Sequence, residues 1–263
     1  MPYRIDIRHA GSDLFDRLIE LGAIDAELAG EGMAALMPDS VTPEQVTQAL
    51  GIPNVAVSPA IGRDEDSVWI LSQRPIRIGR LRIIPAHSDV ESDALRLVDT
   101  TAFGTGLHPT TALCLEALDE AVQHDTPNAV LDVGIGSGVL ALAALTLGVP
   151  RALGLDIDDD ALRVAGENAR LNGMDGRLQL TRGGPDAVSG TWPLVLANIL
   201  AAPLIEMAPT LVRRIGHHGQ LVLSGIPASV EQNVDEAYQR LGLRRVRAVS
   251  REGWVALVLR ASW

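Results

Sequence analysis

Apolar and polar positions follow two different rhythms in two successive stretches of the chain. In the first sixty residues, Tyr3, Ile5 and Ile7 alternate with polar neighbours and predict a strand, while Leu14, Leu18 and Leu21 share one face of a helix that Ser12 is placed to cap. Two further strands are expected over 24–28 and 33–37, joined as a hairpin at Gly30-Glu31-Gly32. Thr42-Pro43-Glu44-Gln45 has the capping-box pattern with proline at the first helical position, and Gly51 stops that short helix. Val55 and Val57 supply a last strand. The order strand, helix, strand, strand, helix, strand is that of a small α+β ferredoxin-like module, which serves either as packing or as a docking platform.

An acidic loop over 62–67 and a hairpin over 76–83 that turns near Gly79 place an inter-domain region at 61–92. From residue 93 onward strands and helices alternate. Strands are expected at 95–98, 129–133, 152–155, 178–180, 194–197 and 220–223, with helices over 109–122, from Val139, and from the Asp158–Asp160 cap to Gly173. Apolar strands alternating with helices imply a mostly parallel sheet covered on both faces. Segments 244–250 and 254–260 pair instead across Arg251-Glu252-Gly253, an antiparallel hairpin closing that sheet. The expected architecture is α/β: residues 1–60 a ferredoxin-like domain, 61–92 a linker region, and 93–263 a Rossmann-like domain.

Composition narrows the class. The formal charge is −11, there is one cysteine, and all 22 basic residues are arginine. Cys114 alone excludes an intramolecular disulfide and suits a reducing, cytoplasmic setting. The amino terminus lacks the apolar run of a signal peptide. The uncharged stretch 133–150 is broken by Gly134, Gly136 and Gly138, so the part left to form a helix is too short to span a bilayer. The net negative charge argues against broad nucleic-acid backbone binding and fits a basic partner.

The chemistry concentrates in three places. Val130-Leu-Asp132-Val-Gly134-Ile-Gly136-Ser-Gly138 is an apolar strand running into three alternating glycines and then a helix, which lets bare backbone approach a ligand at the sheet's carboxyl edge. Asp156 ends the next strand at the spacing of a carboxylate that accepts both ribose hydroxyls. The choice of nucleoside cofactor lies between a dinucleotide and S-adenosylmethionine. Val139 occupies the position where a dinucleotide loop has its third small residue, and Asp132 would repel a pyrophosphate but could hold an ammonium group. Upstream, Phe103-Gly104-Thr105-Gly106-Leu-His108-Pro109-Thr110-Thr111 builds a loop able to fold over a cofactor, with His108 otherwise a surface residue at a helix cap. Finally, Asn198 stands at the carboxyl end of a strand, either as a turn former or as the group that orients a nucleophile.

Together and in this order, the segments 103–111, 132–138 and 197–204 resemble the bacterial ribosomal protein L11 methyltransferase family (PrmA), as do Leu223-Ser-Gly-Ile226 and Glu252-Gly-Trp254. The resemblance implies a class I S-adenosylmethionine-dependent methyltransferase that modifies lysine ε-amines and the N-terminal α-amine of a large-subunit ribosomal protein. It also implies an N-terminal substrate-docking domain. Cofactor contacts carried over by position fall on Thr111, Gly134, Asp156 and Asn198. With the residue-level reading they make a cofactor set of Phe103, Thr105, Gly106, Thr111, Asp132, Gly134, Gly136, Asp156 and Asn198, with Asn198 as the catalytic residue and no metal. The expected partner is a basic, lysine-bearing ribosomal protein met by a monomeric enzyme, with no sequence-specific nucleic acid contact and no membrane. Alternatives are a small-molecule N- or O-methyltransferase on the same core, a nicotinamide oxidoreductase, which Val139 disfavours, and a non-catalytic ribosome-binding module.

Overall fold

A computed structural model describes residues 3–8, 14–23, 25–29, 32–38, 40–52, 55–59, 75–88, 94–98 and 108–263. The chain divides into two compact units, Met1–Ser72 and Gln73–Trp263. The expected cap Ser12, the hairpin residues Gly30 and Glu31 and the acidic loop 62–67 lie outside the described residues.

In the first unit, β1 (Tyr3–Ile7), α1 (Leu14–Glu20), β2 (Asp25–Ala29), β3 (Gly32–Met37), α2 (Pro43–Leu50) and β4 (Ala56–Pro59) follow the expected order. The sheet order β2-β3-β1-β4, with every neighbour antiparallel, is the split βαβ arrangement. Thr42 caps α2 as the sequence indicates: the Gln45 amide donates to Thr42 Oγ1 at 3.3 Å and the Thr42 amide donates to Gln45 Oε1 at 2.7 Å. Ile5, Leu18, Met37 and Val46 close a small core between sheet and helices.

The second unit opens with β5 (Ile76–Ile78), β6 (Leu81–Pro85) and β7 (Leu95–Leu97). The hairpin expected inside the linker region therefore belongs to this unit. The strand expected to open the parallel series sits instead in a separate three-stranded sheet, parallel to β6. Its other edge is satisfied by side chains: the Arg96 amide donates to Asn172 Oδ1 at 2.9 Å, Asn172 Nδ2 donates to Arg96 O at 2.7 Å, and the Val98 amide donates to Asn168 Oδ1 at 2.7 Å.

The main sheet comprises β8 (Val130–Val133), β9 (Ala152–Asp156), β10 (Leu178–Arg182), β11 (Trp192–Asn198), β12 (Ile215–Pro227), β13 (Leu243–Arg251) and β14 (Trp254–Ala261), in the order β10-β9-β8-β11-β12-β14-β13. The first five are mutually parallel; β14 runs antiparallel to both its neighbours. Glu252 and Gly253, with φ of 50° and 79°, make the tight turn of the closing hairpin. Period-two alternation explains how both faces are buried. Leu194 and Leu196 join one core with α3 (Pro109–His124), α4 (Val139–Thr146) and α5 (Asp159–Leu171), whereas Val195 and Ala197 join a second core with α6 (Ala201–Val212) and α7 (Glu231–Gln239). Among the described residues no helix is long and apolar enough to cross a membrane.

Candidate functional site

Strand β8 lies between β9 and β11, so the chain leaves β8 in one direction towards β9 and later fills the other side with β11. That reversal opens a crevice at the carboxyl ends of these strands. Gly134–Gly138 joins β8 to α4 there. The amides of Gly134 and Ile135 both donate to Leu155 O, at 2.8 and 2.9 Å, strapping the loop to β9. Gly134 has φ +73°, and a Cβ at that position would lie 2.3 Å from Ile199 Cγ2. Backbone conformation and neighbour thus both demand glycine.

Asp156 ends β9 with its carboxylate held in place. The Gly136 amide donates to Oδ2 at 3.0 Å and the Asp158 amide to Oδ1 at 3.1 Å. A carboxylate accepts about four hydrogen bonds, so each oxygen keeps capacity for a ligand hydroxyl. On the other flank of the loop, Asn198 ends β11, is 9% exposed, and donates from Nδ2 to Thr111 Oγ1 at 3.3 Å. Its Oδ1 is buried and accepts nothing. Thr111 is fully buried in the first turn of α3. The structure thereby joins Thr111 to Asn198, and Gly136 to Asp156, by direct hydrogen bonds.

Burial governs two further residues of the site. Asp132 is 1% exposed, and its Oδ2 accepts the Ala141 amide at 3.1 Å in the first turn of α4. Burial pushes its carboxyl well above the ordinary range. The Ala141 amide works against that shift and the nearby charge of Asp156 adds to it. One oxygen of the carboxyl thus caps α4, and Oδ1 is left buried without a partner. His108, expected at the surface, is 4% exposed. It caps α3 by accepting the Thr110 amide at Nδ1, 3.3 Å away, and its ring stands edge-on to Trp254 with centroids 5.1 Å apart. Phe103, Thr105 and Gly106 lie outside the described residues. Among the described residues no group of three His, Cys, Asp or Glu is placed to hold a metal.

The sequence reading overlooked the apolar residues that follow the two polar ones. Ile157, next to Asp156, is 76% exposed, and Leu200, two after Asn198, is 50% exposed. Ile199 between them fills the gap over Gly134, and its carbonyl oxygen would lie 2.2 Å from a Cβ at Gly225. An apolar residue directly after a strand-end carboxylate was the available signal.

A model of the family described as "Ribosomal protein L11 methyltransferase (PrmA)" matches residues 39–262. A protein named ribosomal protein L11 methyltransferase from Geobacter sulfurreducens is 45% identical over 221 residues, covering 80% of this chain and 71% of that protein. Its namesake from Pelobacter propionicus is 42% identical over 223 residues, with the same coverage. The crystal structure of a ribosomal protein L11 methylase from Lactobacillus delbrueckii subsp. bulgaricus superposes with a TM-score of 0.66 at 31% identity, covering 72% of this chain and 99% of that one. With the class I sheet order, the strapped glycine loop and this likeness across most of its length, the chain belongs to the ribosomal protein L11 methyltransferase (PrmA) family of methyltransferases.

Proposed function

We propose that the chain is an S-adenosylmethionine-dependent N-methyltransferase acting on lysine ε-amines and the N-terminal α-amine of the ribosomal protein named in its relatives. The observation that carries this reading is the amide of Asn198: Nδ2 is tied to Thr111 while Oδ1 is a buried acceptor with no partner. A buried, unused carbonyl at the strand-end crevice suits an amine N–H donor.

The residues present fit the cofactor. Asp156 has lone pairs left for two ribose hydroxyls, Ile157 offers an exposed apolar face beside it for a purine ring, and Gly134 and Gly136 keep side chains away from the loop. When bound, S-adenosylmethionine supplies a methyl carbon on a sulfonium, a good leaving group. The protein's share of the reaction is alignment and exclusion of water. Asn198 Oδ1 accepts one N–H of the neutral amine and turns the lone pair toward the methyl carbon. The amine has by then given its proton to solvent, which partial desolvation eases from a pKa near ~10.4. Asp132 ties the end of β8 to the first turn of α4 through the Ala141 amide. The chain's −11 charge favours encounter with a basic ribosomal protein.

Incubation of the full chain with tritiated S-adenosylmethionine and bacterial ribosomal proteins tests the reading. Label is expected on one large-subunit protein, at lysine and the α-amine, and Asn198→Ala is expected to lower kcat/KM by about 100-fold through loss of alignment. Full turnover and cofactor affinity in that variant, or label confined to small molecules, would overturn it.

A further inference from the structure

The opposite, amino edge of the same sheet holds a cavity of 910 Å³ that the methyl-transfer site does not use. Arg151, Arg177, Asn128, Gln179, Trp192 and His217 contribute to its walls, with Asp125 as its one carboxylate. The register places the two arginines side by side. Ala152 of β9 pairs with Leu178 of β10, so the residues just before them, Arg151 and Arg177, enter adjacent parallel strands together. The Val130 amide donates to Arg151 O at 3.2 Å and the Ala152 amide to Arg177 O at 2.9 Å, which fixes both backbones. Farther along the edge, Arg214 accepts the Trp192 amide at its carbonyl, 2.8 Å away, and its Nη1 donates to the carbonyl of Gly190, another wall residue, at 3.3 Å.

Among the described residues none of these three guanidiniums is ion-paired, although Arg245 is neutralised by Glu231 and Asp235, Arg247 by Glu120 and Arg251 by Glu116. Neighbouring like charges on adjacent strands repel unless an anion lies between them. From β10 to β12 the edge crosses four inter-strand steps of about 4.8 Å, a row of about 19 Å. Within it Trp192, half-buried against the second core, leaves part of its ring on the cavity wall, and Asn128 and Gln179 provide side-chain amides.

We propose that this edge binds the phosphate backbone of single-stranded RNA. A cationic row that tracks successive phosphates, with an aromatic ring for a base to stack on, is the chemistry of strand binding without sequence preference. A lone phosphate would use only part of the row, and an acidic peptide would leave the indole and amides unused. The inference is independent of the methyl-transfer reading, because its test is a binding measurement.

Fluorescence anisotropy of a labelled poly-uridine oligonucleotide against the full chain is expected to show binding that weakens about 18-fold between about 50 and about 200 mM salt, the response to three neutralised phosphates on a single strand. Arg151→Glu/Arg177→Glu is expected to lower affinity at least tenfold while keeping the wild-type melting temperature and its shift by S-adenosylhomocysteine. Should that variant fail to fold, Arg151→Gln/Arg177→Gln is expected to reduce the salt slope by about two-thirds. Trp192→Leu is expected to weaken binding by about fivefold or more, with the slope unchanged. The proposal is overturned by no binding at low salt, by arginine variants that bind like wild type, by displacement of the RNA by millimolar inorganic phosphate, or by equally tight binding of oligoglutamate.

Discussion

Gly134→Ala probes the point where the cofactor loop and the Asn198 turn meet. Two separate costs are expected. At φ +73° an alanine occupies the left-handed region, at about 1–2 kcal/mol. Its Cβ would also lie 2.3 Å from Ile199 Cγ2, an atom on a branched β-carbon that cannot swing away, and overpacking of this kind costs about 1–3 kcal/mol. Together they predict a loss of about 2–5 kcal/mol, read as a fall in melting temperature of about 4–20 °C for a unit of this size. Ile199→Ala separates the terms, because it deletes Cγ2 and leaves a Cβ 3.8 Å from the new methyl, an ordinary contact. Differential scanning calorimetry of wild type, both single variants and the double variant closes the cycle. The double variant should be more stable than the sum of the singles by about 1–3 kcal/mol, leaving only the backbone cost. Additivity within about 0.5 kcal/mol would show that Ile199 does not crowd Gly134 and would refute the close approach of loop and turn.

In the first unit, Thr42→Ala removes one half of the α2 capping box and should cost about 0.5–2 kcal/mol in denaturant titration, with Thr42→Ser nearly neutral; equal losses in both would deny the capping role. Asp156→Ala should weaken S-adenosylhomocysteine binding about 10- to 100-fold by calorimetric titration, since two charge-assisted hydrogen bonds to ribose are lost; an unchanged Kd would remove Asp156 from the cofactor site. Asp132 gives a pH signature. Its folded-state pKa is raised, so above the ordinary Asp value the folded chain holds a proton that the unfolded chain has released, and this group's contribution to stability falls as pH rises through that window. Asp132→Asn abolishes that term, so the melting temperature of the variant relative to wild type should climb from about pH 4 towards neutrality. Parallel melting curves across that range would mean that the buried carboxyl is already ionised.

Much of the second unit was legible because its signals are local. A strand of buried apolar residues followed by Gly134, Gly136 and Gly138, with Asp156 closing the next strand, specifies strand, turn and helix within about thirty residues. The capping box at Thr42 and the hairpin at Glu252-Gly253 are likewise complete within four residues. The strand at Leu95 was located correctly but joined to the wrong sheet, because its free edge is completed by Asn168 and Asn172, more than seventy residues away in sequence. Period-two alternation says that a segment is a strand and not which neighbour will pair with it.

The same division runs through the site. By itself, the order of residues determined the two domain types, the mostly parallel sheet with its antiparallel close and the glycine loop, since each depends on periodicity and short spacings that backbone sterics enforce; the family was legible as a resemblance of motifs. Only the tertiary structure decided the states of individual side chains. Asp132 is driven towards neutrality because folding takes it out of water, and His108 is turned inward as a cap against Trp254. Asn198 presents a free carbonyl because Thr111, 87 residues earlier in the chain, holds its amide nitrogen. Desolvation and long-range hydrogen bonds exist only once distant segments meet, so no local pattern in the chain encodes them.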